Sequence, residues 1–147
     1  AGSIPSSLPQ TTYERLLARL EGHGVHTVVD ATRDLLVNVL QYHPFLIKPN
    51  NHELGEIVGR TLTTDADITG ALLLDEKGEV HRIGTPKGKV VNSVGAGDSM
   101  VAGFVAGYLR SGSYLEALRL GTACGSATAF SLGLAKKEKI DALLATI

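Results

Sequence analysis

Apolar positions along the first third of the chain change period several times. Leu16, Leu17 and Leu20 recur at helical spacing behind Thr11 and Thr12, either of which can cap a helix, and Gly22 and Gly24 stop it. The loop before it, residues 2–9, is punctuated by Pro5 and Pro9. Val25 to Asp30 reads as a buried strand ending in a carboxylate. Leu35, Leu36, Val39 and Leu40 give a second helical face, closed before Pro44. Phe45-Leu46-Ile47 is a short strand, and Lys48-Pro49-Asn50 leads into a helix carrying Leu54, Ile57 and Val58. The order helix, strand, helix, strand, helix predicts crossovers onto a parallel sheet.

The pattern then changes. Ala71–Leu74 and Val80–Ile83 flank Asp75-Glu76-Lys77-Gly78, which predicts a hairpin. Lys89-Val90-Val91 reads as a further short strand. From Gly97 the helical period returns, with Met100, Val101, Phe104, Val105 and Leu109 on one side and Ser111-Gly112-Ser113 as the stop. A second long helix runs from Tyr114 to about Ser131 and is rich in small residues: Ala117, Gly121, Ala123, Gly125, Ala127 and Ala129. Such a face permits close packing on a neighbouring helix or on a flat ligand, and the pattern favours neither. Lys136 to Ile147 closes the chain as a short amphipathic helix, its Lys136-Lys137-Glu138-Lys139 start reading as solvated.

Composition narrows the function classes. At 147 residues, 44% hydrophobic and 20% charged, the chain is expected to fold as one domain. A net charge of -1 supplies no basic excess for a nucleic acid. Cys124 is the single cysteine, so no internal disulfide forms, and a reduced cytoplasmic protein is expected. No apolar run reaches membrane-spanning length and the opening residues lack a signal pattern, so no membrane partner is expected.

Several motifs fail. A P-loop built on Gly88-Lys89 would have Ile83 at its first glycine and Val90 at its hydroxyl. A dinucleotide fingerprint at Gly95-Ala96-Gly97 would have Met100 at its third glycine. His52-Glu53 lacks the second histidine of a zincin helix, His23 and His26 straddle a glycine turn, and His43 and His81 read as surface residues.

Asn92-Ser93-Val94-Gly95-Ala96-Gly97-Asp98-Ser99 survives. Two glycines allow a tight turn open to a ligand, and the first N–H groups of the following helix have no partner within it. Such a turn suits phosphate. Asp98, in the same first turn, either accepts a proton from a hydroxyl attacking that phosphate or simply complements the helix dipole.

The Gly95-Ala96-Gly97-Asp98 turn within KVVNSVGAGDSMVAGFVAGYL resembles the C-terminal signature of the PfkB, or ribokinase-like, sugar kinases. Asn50 and Glu53 match that family's Asn-x-x-Glu motif, and Gly2-Ser3-Ile4-Pro5 is similar to its Gly-Ser-Leu-Pro loop. The wording is most similar to members acting on fructose 1-phosphate, with those acting on tagatose 6-phosphate next. The resemblance implies an α/β fold, a three-layer αβα sandwich with a mostly parallel sheet, represented by its nucleotide-binding C-terminal part. It implies ATP and Mg²⁺, and ATP and a sugar phosphate as small-molecule partners. Asp98 would be the general base on the 6-OH of the sugar, and the N–H groups around Gly95, Ala96 and Gly97 the anion hole. Asn50 and Glu53 would organise Mg²⁺ through water, while also serving as a helix N-cap pair. Gly70 would be the remnant of a nucleotide loop. Cys124, Gly125 and Ala127 would border the adenine, and Ser3 would touch the sugar phosphate or cap a turn.

The chain departs from the family pattern in two places. The family's region before the Gly-Ser-Leu-Pro loop, with its lid and phosphate-holding basic residues, is not among these 147 residues, and Asp65-Ala66-Asp67 runs almost directly into Thr69-Gly70-Ala71, which reads either as an internally shortened fragment or as a longer chain given without those residues. The expectation is one incomplete kinase domain over 1–147, weak or inactive alone, or a nucleotide-binding fragment without turnover. A homodimer is implied only for a full-length parent.

Overall fold

A computed structural model describes residues 4–31, 34–58 and 70–147. Ser3, the segment 59–69 and the side chains of Ile57 and Val58 lie outside them. The chain forms two compact units, Ala1–Asp67 and Ile68–Ile147.

In the first unit the expected order holds: α1 (Thr12–Leu20), β1 (Val28–Val29), α2 (Asp34–Val39) continued by a 3₁₀ turn (Leu40–Tyr42), β2 (Leu46–Ile47) and α3 (Asn51–Val58). β1 and β2 pair in parallel, Val28 opposite Leu46 and Val29 opposite Ile47, with α2 in the crossover. β1 is shorter than the expected Val25–Asp30 strand, because Val25 is exposed and has no face to bury. The core is Leu17, Val29, Ala31, Leu36 and Val39, with Tyr13, Leu35, Tyr42 and Ile47 packed on it. α1 starts with Thr12 Oγ1 donating to the Pro9 carbonyl at 2.5 Å rather than with a Thr11 side-chain cap.

The second unit is a hairpin followed by three helices: β3 (Ala71–Leu74), β4 (Val80–Ile83), α4 (Ala96–Ser111), α5 (Tyr114–Ala129) and α6 (Lys137–Leu144). β3 and β4 pair antiparallel, Ala71 opposite Ile83 and Leu74 opposite Val80. Gly78 takes the left-handed conformation that the turn needs, with φ of 80°. Gly112 closes α4 in the same conformation, and Ser113 caps α5 by accepting the Glu116 N–H.

α4 and α5 pack through their glycines. A Cβ on Gly107 would stand 2.8 Å from the Ala117 Cα, and one on Gly121 2.8 Å from the Met100 carbonyl oxygen. The small-residue pattern of α5 is therefore used for helix packing. On α4 the buried positions are Gly103, Phe104 and Gly107, whereas Leu109, expected on the buried side, is 75% exposed. Backbone contact at glycines leaves no groove for a leucine so near the end of the helix.

Three further expectations are corrected. Lys89–Val91 is not a strand: the N–H groups of Val91 and Asn92 both donate to the Ala129 carbonyl, one of the acceptors left open at the end of α5. His81 is partnered, with Nε2 3.0 Å from Asp75 Oδ2. Lys139 is anchored, since its ammonium donates to the Phe130 carbonyl and, at 2.9 Å, to Ser131 Oγ. Among the described residues no helix is long and apolar enough to cross a membrane.

Candidate functional site

In the second unit the chemistry gathers where the 88–95 loop enters α4. Asn92 fixes the loop: its Nδ2 donates to the Leu132 carbonyl at 3.2 Å and its Oδ1 accepts the Val94 N–H at 3.0 Å. Gly95, the N-cap, has φ of 78°, a conformation that strains any residue with a Cβ. The helical ladder begins with the Ser99 N–H on the Gly95 carbonyl. The Ala96 N–H turns back onto the Ser93 carbonyl at 3.1 Å. The donors without an acceptor inside the helix are therefore those of Gly97 and Asp98, one residue further along than the Gly95–Gly97 expectation. Asp98 is exposed, and among the described residues its carboxylate has no hydrogen bond or ion pair. Behind the turn, Thr128 Oγ1 donates to Ser99 Oγ at 3.0 Å and locks α5 to the first turn of α4. A shallow groove of about 420 Å³, lined by Ser131, Leu134, Lys136, Glu138 and Lys139, shares Leu134 with this turn.

The other residues expected at a nucleotide lie in tight packing. A Cβ on Gly125 would meet the Ala96 carbonyl oxygen at 3.1 Å, and Ala127 is fully buried. Gly70 sits on the Ile83 carbonyl, where a Cβ would come within 2.3 Å of the oxygen, so the hairpin alone requires glycine there. Cys124 is partly exposed, and burial pushes its thiol above the ordinary range. At pH 8 its thiolate fraction is thus below that of a free cysteine, and the thiolate is the nucleophile. Iodoacetamide is expected to alkylate Cys124 at least about tenfold faster in 6 M urea than in the native chain, as followed by intact mass.

In the first unit, Asn50 and Glu53 form a reciprocal N-cap of α3. Asn50 Oδ1 accepts the Glu53 N–H at 2.9 Å, and Glu53 Oε2 accepts the Asn50 N–H at 2.8 Å. Glu53 Oε1 takes no part in the cap. Two residues singled out for no role stand in the same unit. Asp30 and Lys48 directly follow β1 and β2, and their side chains meet at 3.6 Å, each about a quarter exposed. The carboxyl ends of parallel strands are where open α/β sheets bind ligands. The signal was present as a charged residue just past each apolar run.

One unit carries a glycine turn at a helix N-terminus with an exposed carboxylate, the other a parallel βαβ element with charge past its strand ends, and each is a feature common in phosphoryl-handling α/β proteins. The model of the pfkB family carbohydrate kinases matches residues 68–140. The chain is 41% identical to a 1-phosphofructokinase of Bacillus subtilis over 98% of its own length and 54% of that protein. It is 34% identical to a D-tagatose-1-phosphate kinase of Bacillus licheniformis over 96% of its own length and 53% of that protein. The structure of phosphofructokinase-2 from Escherichia coli in complex with substrates and products superposes with a TM-score of 0.88 at 26% identity, over 99% of this chain and 55% of that one. The chain belongs to the pfkB carbohydrate kinase family and has its ribokinase-like α/β fold. It spans about half the length of the relatives it matches. The alignments run over 165 and 163 residues against 147 here, so the relatives also carry residues that this chain lacks within the matched span.

Proposed function

We propose that this chain serves an ATP-dependent kinase that phosphorylates the 6-OH of fructose 1-phosphate to give fructose 1,6-bisphosphate and ADP. The observation that carries the reading is the left-handed Gly95 turn, which presents the Gly97 and Asp98 N–H groups beside an exposed carboxylate. Asp98 takes the proton of the attacking 6-OH as the new O–P bond forms and the bond to ADP breaks. The two N–H groups, at the positive end of the α4 dipole, hold the charge on the phosphoryl group in transfer. Cys124 would border the adenine, with Gly125 and Ala127 keeping α5 close enough to α4 for it to do so. Gly70 and Ser3 would stand at the nucleotide and the sugar phosphate. Both units would belong to one kinase domain, a reading supported by alignments that cross the division between them.

Asn50 and Glu53 offer oxygen donors that fit Mg²⁺ through water, because the cap leaves Glu53 Oε1 free. When bound, Mg²⁺ neutralises charge on the nucleotide phosphates. Lys48, held toward Asp30, adds positive charge at the same strand ends. Capping and metal binding separate cleanly by mutation. Glu53→Gln preserves the reciprocal cap, so the urea midpoint should barely move while the Mg²⁺ concentration for half-maximal ATP binding rises about tenfold or more. Asn50→Ala should instead cost about 1 kcal/mol of stability.

The 34% identity to a tagatose-phosphate kinase keeps a second acceptor class in view. The test is kcat/KM with Mg·ATP for fructose 1-phosphate, tagatose 1-phosphate and tagatose 6-phosphate, on protein of verified mass. Preference for fructose 1-phosphate supports the reading, and preference for a tagatose phosphate replaces it. ATP binding with no transfer to any of them leaves a nucleotide-binding fragment without turnover.

A further inference from the structure

The β3–β4 hairpin gathers a second set of ligand-type side chains, on residues that phosphoryl transfer does not use. Asp75 directly follows β3, Glu79 directly precedes β4, and His81 is the second residue of β4. One ligand atom from each lies within 4.8 Å of the other two. His81 Nε2 and Asp75 Oδ2 are 3.0 Å apart. Two lone pairs do not approach that closely unless a proton or a cation lies between them. Asp75 is pre-oriented for either. Its side chain is only 4% exposed, and Oδ1 is held by the N–H groups of Lys77 at 2.9 Å and Glu79 at 2.8 Å, which leaves Oδ2 to face His81. His81 is supported from α5 by the Tyr114 ring, with centroids 6.1 Å apart, and the Tyr114 hydroxyl is tied to Glu76 Oε2 at 2.8 Å. Glu79 differs from both. Its carboxylate is exposed and has no bond among the described residues, so it can swing in at little cost.

We propose that Asp75, Glu79 and His81 form a binding site for a divalent first-row metal ion, Zn²⁺ suiting it best, which staples the two ends of the hairpin. The donor set decides the class. One imidazole nitrogen and two carboxylates suit Zn²⁺ or its first-row neighbours, whereas Mg²⁺ and Ca²⁺ prefer oxygen alone. The distances agree. Tetrahedral metal–ligand bonds of about 2.1 Å put adjacent ligand atoms about 3.4 Å apart, so the 3.0 Å between His81 and Asp75 need open by only a few tenths of an ångström. The ion takes the place of the proton between them, and that proton leaves to solvent. The two main-chain N–H groups on Asp75 Oδ1 serve as the outer partners that fix a ligating carboxylate.

The experiment is calorimetric titration of ZnCl₂ alone into the nucleotide-free, chelator-stripped 147-residue chain at pH 7. One ion per chain is expected. Glu79→Gln and His81→Gln should each weaken binding by more than about tenfold, since the loss of an outer partner alone costs that much. A His23→Gln/His26→Gln double variant should leave it unchanged. Glu79→Gln removes no bond within the described residues, so it keeps the test open should His81→Gln fold poorly. Absence of Zn²⁺ binding up to millimolar ion, or wild-type affinity in a folded Glu79→Gln or His81→Gln variant, overturns the proposal.

Discussion

Asp98→Asn is expected to lower kcat for transfer to fructose 1-phosphate by about 10² to 10⁴-fold, the range a positioned general base contributes, while ATP affinity changes little. Asparagine has the size and shape of aspartate but cannot accept the hydroxyl proton at neutral pH. The fold loses almost nothing, because the carboxylate is exposed and unbonded among the described residues. What the helix loses is charge near its N-terminus, about 0.3–1 kcal/mol at a surface site. The two roles left open by the sequence thus differ in their readout. Loss of the charge lowers the urea midpoint slightly under either role, so kcat is the readout that separates them: it falls by orders of magnitude only if Asp98 is the base. Retained turnover in Asp98→Asn removes the base from the account.

The largest stability effect is expected at Gly121. Its missing Cβ would stand 2.8 Å from the Met100 carbonyl oxygen and 3.2 Å from the Phe104 nitrogen, both main-chain atoms of α4 that cannot rotate away. Gly121→Val gains about half a kcal/mol of helix propensity but forces the helices apart, and overpacking of this kind costs about 1–3 kcal/mol or more. The net expectation is a loss of about 2 kcal/mol, read as a fall in the urea midpoint. Gly133→Ala is the comparison, since nothing lies within 4 Å of its Cβ, and its midpoint should hardly change. Should Gly121→Val not fold, Gly121→Ala tests the same contact at a smaller cost. An undiminished midpoint in Gly121→Ala would show that α4 and α5 do not depend on this close approach.

Much of this was legible in the residues. The hairpin carried its own turn residues and came out with the expected limits, and the parallel pair followed from helices placed between two apolar runs. The glycine turn opening α4 was legible because only glycine is unstrained at φ of 78°. Long-range partners were not legible. Nothing local said that the Val91 and Asn92 N–H groups would find the end of α5 instead of a strand, or that Lys139 would reach back to Phe130. The Asp75–His81 pair depends on strand register, which sets His81 opposite Leu73 and so leaves Asp75 diagonal to it on the same face. Leu109 fitted the helical period, but the contact face was set by glycines, which an apolar pattern does not count. That the Ala96 N–H would be taken up by the turn, leaving the Gly97 and Asp98 N–H groups without an acceptor inside α4, is a detail of backbone geometry the residues did not carry.

The most direct measurement is of the main-chain amides at the start of α4. In a chain of 15.5 kDa, ¹H–¹⁵N spectra resolve them individually as Mg·ATP is added. The expected result is that the Gly97 and Asp98 amides shift most, as donors taking up phosphate oxygens, while Ala96, already bonded to Ser93, shifts less. Saturable ATP binding that leaves Gly97 and Asp98 in place while other amides move would put the phosphates elsewhere and contradict the account.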